Sequence, residues 1–133
     1  MSWEGQPVTV ERILGVIFTP LAWLVGVPWK EAPDGGLILG TKMVLTEFVA
    51  FQNLAHIPAG EISERTRIIL TYATCGFANI GSVGISVAGF SALMPSRRPE
   101  ILGLIWKALM AGFLATCLSA AVVGALPNAV YGL

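Results

Sequence analysis

Two polar side chains stand out because each lies inside an apolar stretch of the chain. Glu47 lies within residues 37–55, LILGTKMVLTEFVAFQNLA, and Asn79 lies within residues 68–94, which carry no charge. A carboxylate in the middle of a membrane helix costs about 2.5–3.5 kcal/mol on insertion scales, and such residues indicate function by default. The carboxylate accepts hydrogen bonds, and the amide both donates and accepts them. This chemistry suits the binding of a hydroxylated solute.

The surroundings of Asn79 predict a break in its helix. Gly76 and Gly81 flank it, and glycine lowers the cost of leaving helical geometry. Unwound backbone at membrane depth is tolerated only where it is buried in protein or lines a cavity. We therefore expect the break to present Asn79, Ser82 and free backbone groups to a polar ligand. The alternative, in which Asn79 only holds packed helices together by a hydrogen bond, fits the composition equally well.

Lys42 is the nearest cation in sequence to Glu47. The two residues are five positions apart, which separates them by about 140° on a helix, so they are not an i,i+4 pair. We therefore expect Glu47 to face a water-filled cavity. The alternative is that a distortion pairs it with Lys42, or that it lies in a soluble turn.

Composition indicates a membrane protein. Hydrophobic residues make up 55% of the 133 residues and charged residues 12%, against about 25% charged in soluble domains. Eight basic residues balance eight acidic ones, so no net charge points to nucleic acid. Cys75 and Cys117 lack the spacing of a metal site, and no catalytic motif is present. The sequence predicts neither an enzyme nor a metal site, and its 27 uncharged residues in a row disfavour a soluble protein.

Four apolar segments predict an all-α membrane protein. Residues 13–29, interrupted by Pro20, and residues 37–55 are joined by the turn signal KEAPDGG at 30–36. Short or interrupted segments of this kind favour a re-entrant helical hairpin, with two ordinary tilted spans as the alternative. A broken transmembrane helix over residues 68–94 and a final transmembrane helix over residues 101–126 follow.

Two further local signals concern the ends and faces of these helices. Ser63, in the polar loop at 56–67, is a candidate cap for the helix that follows. Small residues recur every fourth position along the last segment, a stripe that favours close helix packing in lipid; they are Ala108, Gly112, Thr116, Ala120 and Gly124.

Four blocks of the sequence together resemble the concentrative, sodium-coupled nucleoside transporters. They are GVIFTPLAWLVGVPW, GTKMVLTEFVAFQNL, TYATCGFANIGSVGI and ALMPSRRPEI, in the family's order and spacing. The resemblance runs from about residue 9 to the end of the last helix. It implies that residues 1–133 are the C-terminal part of the transport domain. Within it, 13–55 would be a re-entrant hairpin, 66–94 a broken transmembrane helix and 100–126 the last transmembrane helix.

The resemblance also implies a substrate site on this chain. In the family, the positions of Glu47 and Asn79 hydrogen-bond the ribose of the nucleoside, that of Phe77 lines the pocket, and that of Ser82 contacts the sugar. The chain departs from the family pattern at Thr46, where asparagine is usual, and at Gly81, where serine is usual. Both positions adjoin binding residues, so solute selectivity is open.

The family's members are much longer, and their earlier half supplies the base contacts and the sodium site. We therefore expect this chain not to transport alone, and to need a missing N-terminal half or a partner chain. The resemblance further implies a nucleoside solute, sodium as the coupling ion, a homotrimer, and a multi-pass protein of the inner cell membrane within the lipid bilayer. The alternative is a small helical membrane subunit with a structural role and no solute site.

Overall fold

A computed structural model describes residues 10–132, except for the side chain of Glu11. These residues form six α-helices: α1 (Val10–Leu24), α2 (Ala32–Val44), α3 (Glu47–His56), α4 (Glu64–Thr74), α5 (Ile80–Leu93) and α6 (Arg98–Ala125). Short 3-10 turns occupy Pro95–Arg97 and Asn128–Tyr131. No strand occurs within residues 10–132, so the expected all-helical class is confirmed. Residues 1–9 and 133 of the predicted unit lie outside the described residues.

The connection between α1 and α2 lies earlier than the turn signal at 30–36 predicts. The chain turns over residues 25–31, and Pro33 and Asp34 already stand in the first turn of α2. Proline fits there because the first helical N–H groups have no intrahelical partner. The glycine pair serves packing instead, because a Cβ at Gly36 would collide with the carbonyl of Gly15 on α1. The same residue types therefore mark a close helix contact and not a turn.

The helices differ from the apolar segments of the sequence at two points. Helix α1 runs through Pro20 without a break. The segment at 37–55, which is helical in composition, is interrupted at Leu45 and Thr46, immediately before Glu47. Thr46 adopts an extended conformation, and its Oγ1 accepts a hydrogen bond from Val49 N at 3.3 Å. This side-chain cap satisfies one of the free N–H groups at the start of α3 and so stabilises a new helix at this point.

The break expected around Asn79 is present. Helix α4 ends at Thr74, α5 begins at Ile80, and the residues between them are not helical. Asn79 is the N-cap of α5 and forms a reciprocal capping box with Ser82. Such a box satisfies two otherwise free backbone donors, so it fixes the point at which the helix resumes.

The start of α4 is tied to the ends of two other helices. Ser63 caps α4 as predicted, with its Oγ accepting from Thr66 N at 3.2 Å. Arg67 donates to the carbonyls of Leu54 and Ile57 at the end of α3, at 2.8 and 3.0 Å. Arg65 donates to backbone carbonyls at the end of α6. These guanidinium groups satisfy helix carbonyls that would otherwise lack partners.

The stripe of small residues on α6 faces the rest of the chain over most of its length. Ala120 and Gly124 are buried, Gly112 and Thr116 are half-buried, and Ala108 is exposed. The predicted packing role is therefore confirmed for the part of the stripe after Ala108. The core beneath it joins α1, α2, α4 and α6 through fully buried side chains, among them Ala22, Leu39, Ile69 and Phe113.

Candidate functional site

Glu47 and Asn79 meet in the fold although they are 32 positions apart in the chain. The amide nitrogen of Asn79 donates to Glu47 Oε2 at 3.1 Å. Each residue stands where a helix begins after an interruption, since Glu47 is the first residue of α3 and Asn79 caps α5. The two breaks in the helices are therefore brought together at one point.

The neighbours of Asn79 fix the orientation of its amide group. Oδ1 accepts from Ser82 N at 2.8 Å, and Nδ2 faces the carboxylate of Glu47. A flipped amide would place oxygen against the carboxylate and nitrogen against an N–H group, so this assignment is the one that the hydrogen bonds allow. One N–H of the amide and several lone pairs of the carboxylate remain. The pair therefore offers a donor and an acceptor side by side.

Glu47 is the acidic residue in the first turn of α3. The N-terminal end of a helix carries a partial positive charge, and a carboxylate in the first turn is stabilised there by about 0.3–1 kcal/mol. Glu47 is half-buried, whereas Asn79 is only 2% exposed. The carboxylate is thus the more accessible member of the pair.

Ser82 supports Asn79 directly. Its Oγ accepts from Asn79 N at 3.2 Å and donates to Asn79 O at 2.6 Å. A hydroxyl has a single hydrogen, which is engaged here, so only a lone pair is left for any further partner. The predicted contact of Ser82 with a sugar stays a prediction, whereas its contact with Asn79 is observed.

Phe77 lies in the break itself and is largely exposed. Its ring and Ser82 line a cleft of about 150 Å³ between α5 and α6, to which Val83, Ser86, Ile105, Leu109 and Gly112 also contribute. Glu47 and Asn79 do not line this cleft. The structure thus brings Glu47, Asn79 and Ser82 into one hydrogen-bonded group and places Phe77 beside it.

A larger cavity of about 340 Å³ lies elsewhere, near the start of α2 and the end of α3. Asp34, Asn53, His56 and Glu61 are its polar lining residues. The start of α2 and the end of α3 are the helix ends that lie away from the interruption at Leu45 and Thr46, and neither Glu47 nor Asn79 lines this cavity. This cavity is therefore separate from the group formed by Glu47 and Asn79.

Lys42 does not form the alternative ion pair with Glu47 within the described residues. Its side chain is fully buried, and Nζ donates to Ala73 O at 2.8 Å and to Thr116 Oγ1 at 2.7 Å. The sequence signal for these buried contacts is the position of a lysine within an apolar segment. Its partners lie 31 and 74 positions away, so sequence spacing does not reveal them.

Comparisons with known proteins point to one family. The family model described as "Na+ dependent nucleoside transporter C-terminus" matches residues 1–124. The chain is similar to the uncharacterized transporter YutK of Bacillus subtilis, with 50% identity over 88% of the chain and 29% of that protein. It is 39% identical to the nucleoside permease NupC of Helicobacter pylori, over 84% of the chain and 28% of that protein.

The fold is also similar to that of a solved structure. A solved structure of CNTnw in an inward-facing substrate-bound state matches with a TM-score of 0.80 and 41% identity, over 88% of the chain and 29% of that protein. The matched proteins are transporters and permeases and not enzymes, as the sequence predicts, and they support a membrane location. Among the described residues, Pro95–Ala125 is the one helical stretch long and apolar enough to cross a membrane. The chain spans less than a third of the length of these relatives.

Proposed function

Because this chain belongs to the Na+-dependent nucleoside transporter family, we propose that Glu47 and Asn79 bind the ribose of a nucleoside that the complete protein transports. The observation that carries the proposal is the 3.1 Å hydrogen bond between the two side chains. It joins the starts of two helices that follow breaks, and broken helices form the substrate sites of many transporters.

The chemistry of the pair matches a sugar hydroxyl. The hydroxyl donates to the carboxylate of Glu47 and accepts from the remaining N–H of Asn79, so one group satisfies both residues. A site built to hydrogen-bond a hydroxyl rejects analogues that lack it, because its own polar groups are then left unpaired. Deoxyribonucleosides lacking the bound hydroxyl are therefore poor substrates.

Phe77 and Ser82 complete this side of the site in the proposal. The exposed ring of Phe77 forms an apolar wall, and Ser82 holds Asn79 while offering its remaining lone pair to the sugar. Gly81 bears on selectivity because a Cβ at this position would lie 3.2 Å from Asn79 Oδ1. The serine usual at this position in the family would crowd the amide, so glycine leaves it more room.

The rest of the transporter supplies what this chain lacks. We propose that it contributes the base contacts and the sodium site, so the chain alone does not transport. In this proposal, residues 13–55 form a re-entrant hairpin, 66–94 a broken transmembrane helix and 100–126 the last transmembrane helix of a multi-pass inner-membrane homotrimer. Sodium is a transported coupling ion that binds outside this chain.

A structural role for the same residues is the second candidate. Interhelical hydrogen bonds between polar side chains hold membrane helices together, and Glu47 and Asn79 are already joined by one. In this alternative the chain is a helical membrane subunit without a solute site. Solute dependence separates the two functions.

The test uses the native protein purified from its membrane in detergent. A ligand that binds only the folded state stabilises it by about 2.7 kcal/mol at one hundred times its Kd. We expect uridine or adenosine to raise the unfolding temperature of the wild type, and Glu47→Gln to remove that shift while leaving the protein folded. Glu61→Gln, at an exposed glutamate, is the matched control and keeps the shift. A nucleoside-dependent shift that survives in Glu47→Gln would refute the site, and no shift in the wild type would favour the structural role.

A further inference from the structure

The buried ammonium of Lys42 has no carboxylate partner within the described residues. Its side chain is 0% exposed, and burying a charge without an ion-pair partner is energetically unfavourable. Such a residue persists only where the surrounding protein supplies hydrogen-bond acceptors or another source of negative potential. The contacts of Lys42 Nζ show which groups supply these acceptors and this negative potential.

Two oxygens and one aromatic ring surround the ammonium. Nζ donates to Ala73 O at 2.8 Å and to Thr116 Oγ1 at 2.7 Å. The hydroxyl hydrogen of Thr116 is engaged with Phe113 O at 2.8 Å, so its oxygen can only accept from the lysine. The ring of Phe113 lies with its centroid 5.4 Å from Nζ, within the range of a cation–π contact. All three groups favour a cation at this position.

These groups lie near the C-terminal end of a helix. Ala73 lies in the last turn of α4, whose carbonyls have no intrahelical partners and carry partial negative charge. Lys42 itself stands in the last turn of α2. The ammonium thus lies where the C-terminal ends of α2 and α4 meet, whereas Glu47 lies where the N-terminal ends of α3 and α5 meet.

In transporters with broken helices, the C-terminal ends of half-helices coordinate dissociable cations. We propose that the ammonium of Lys42 takes the place of such a cation at the end of α4 and thereby positions Asn79 for the solute. Lys42 is then a positioning residue that does not touch the solute. This inference rests on the proposed function, because the role of Asn79 belongs to it.

The link from Lys42 to Asn79 runs through the break. A Cβ at Gly76 would collide with the side chain of Thr116 and would lie 3.7 Å from Lys42 Nζ. The nonhelical segment therefore passes directly against the contact between Lys42 and Thr116 on its way to Asn79. Loss of the ammonium frees the end of α4 and this segment, and Asn79 loses its fixed distance from Glu47.

The experiment measures nucleoside affinity and stability separately in the native protein. Affinity comes from the dependence of the unfolding temperature on uridine or adenosine concentration, and stability comes from the unfolding temperature without nucleoside. Because Lys42 is proposed to position Asn79 for the solute, we expect Lys42→Met to raise the nucleoside Kd at least about tenfold, which corresponds to about 1.4 kcal/mol. Lys107→Met, at an exposed lysine of α6, is the matched control and leaves the Kd unchanged.

Chemical rescue tests whether the cation itself is what matters. In Lys42→Ala, methylammonium at tens of millimolar restores nucleoside affinity, because it can donate to the same oxygens from the vacated space. Tetramethylammonium has no N–H donor and does not restore it. Equal rescue by both ions, or by neither, would overturn the proposed role of the ammonium.

A milder pair of variants decides the matter if substitutions at Lys42 prevent folding. Thr116→Ser keeps the oxygen that accepts from the ammonium, and Thr116→Val removes it with little change in shape. We expect the valine variant to raise the nucleoside Kd several-fold and the serine variant to leave it near the wild-type value. Equal affinities in the two variants would refute the proposal. If nucleoside binding also survives in Glu47→Gln, it is the site itself that fails; if it is lost there, only the role of Lys42 fails.

Discussion

The contact between Glu47 and Asn79 predicts an unusual pattern of stability in a double-mutant cycle. Asn79→Asp keeps an oxygen that can accept from Ser82 N, so the cap of α5 survives. It replaces the donor that faces Glu47 Oε2 with a second acceptor at about the same distance. Glu47→Gln alone is mild, because the new amide can still accept from Asn79 through its oxygen.

The magnitudes follow from the groups that change. A hydrogen bond to a charged group contributes about 1.5–3 kcal/mol, and Glu47 is half-buried, so we expect Asn79→Asp to cost at least about 1.5 kcal/mol. Glu47→Gln in the wild-type background should cost less than about 1 kcal/mol, since a neutral hydrogen bond replaces a charged one. In the double variant the introduced glutamine amide donates to the introduced carboxylate. The interaction energy of the cycle should then be about 1–3 kcal/mol in favour of the double variant.

The sign of the effect of Glu47→Gln in each background is the most specific part of this prediction. Glu47→Gln should destabilise the wild type and stabilise the Asn79→Asp variant. Equilibrium unfolding of the purified protein in mixed micelles, with increasing sodium dodecyl sulfate, measures all four free energies of unfolding. If Glu47→Gln had the same effect in both backgrounds, the two side chains would not interact and the reasoning about the site would be wrong. Asn79→Ala, which loses both the cap and the donor, serves as the reference for complete loss and should cost about 2–5 kcal/mol.

Four further substitutions test the packing and the helix ends, each by the free energy of unfolding in the same micelles. Gly124→Ala should cost about 1–3 kcal/mol because its Cβ would lie 2.5 Å from Val25 O, whereas Gly103→Ala on the same helix meets open space and should gain up to about 1 kcal/mol; equal effects would contradict the close packing. Thr74→Val should be neutral or stabilising, since the buried Thr74 hydroxyl has no partner within the described residues; a clear loss would mean that the hydroxyl is used by a group outside this chain. Arg65→Lys should cost about 1–2 kcal/mol, because an ammonium cannot reach all the acceptors that the guanidinium holds at the end of α6; an unchanged stability would show that this cap contributes little.

Local sequence signals predicted the features that depend on neighbouring residues. The cap at Ser63 and the break before Asn79 both follow from residue types within a few positions of each other. The interruption at Thr46 had a signal of the same kind, a threonine directly before an acidic residue, which is typical of a helix start. The apolar residues on either side of Thr46 continue the helical composition, so this signal alone does not place the interruption.

Features that depend on distant residues were not predictable in this way. The glycines at 35 and 36 have the composition of a turn, and only the approach of α1 shows that they are a contact surface. The partners of Lys42 and the meeting of Glu47 with Asn79 depend on the arrangement of whole helices. Composition indicates that burying Lys42, Glu47 and Asn79 is energetically unfavourable. Only the fold determines which hydrogen-bond partners offset that free energy.

The opposite charges of Lys42 and Glu47 have a consequence for the energetics of transport. Moving one elementary charge across a membrane potential of 100 mV changes the free energy by about 2.3 kcal/mol. Lys42 and Glu47 lie on either side of the same short interruption, one at the end of α2 and the other at the start of α3. In the proposed transport cycle, a joint shift of these helices through the membrane field would move both charges in the same direction, so the contributions of Lys42 and Glu47 to the electrical work would cancel. This pair of side chains would then add nothing to the current that accompanies a neutral solute in that cycle.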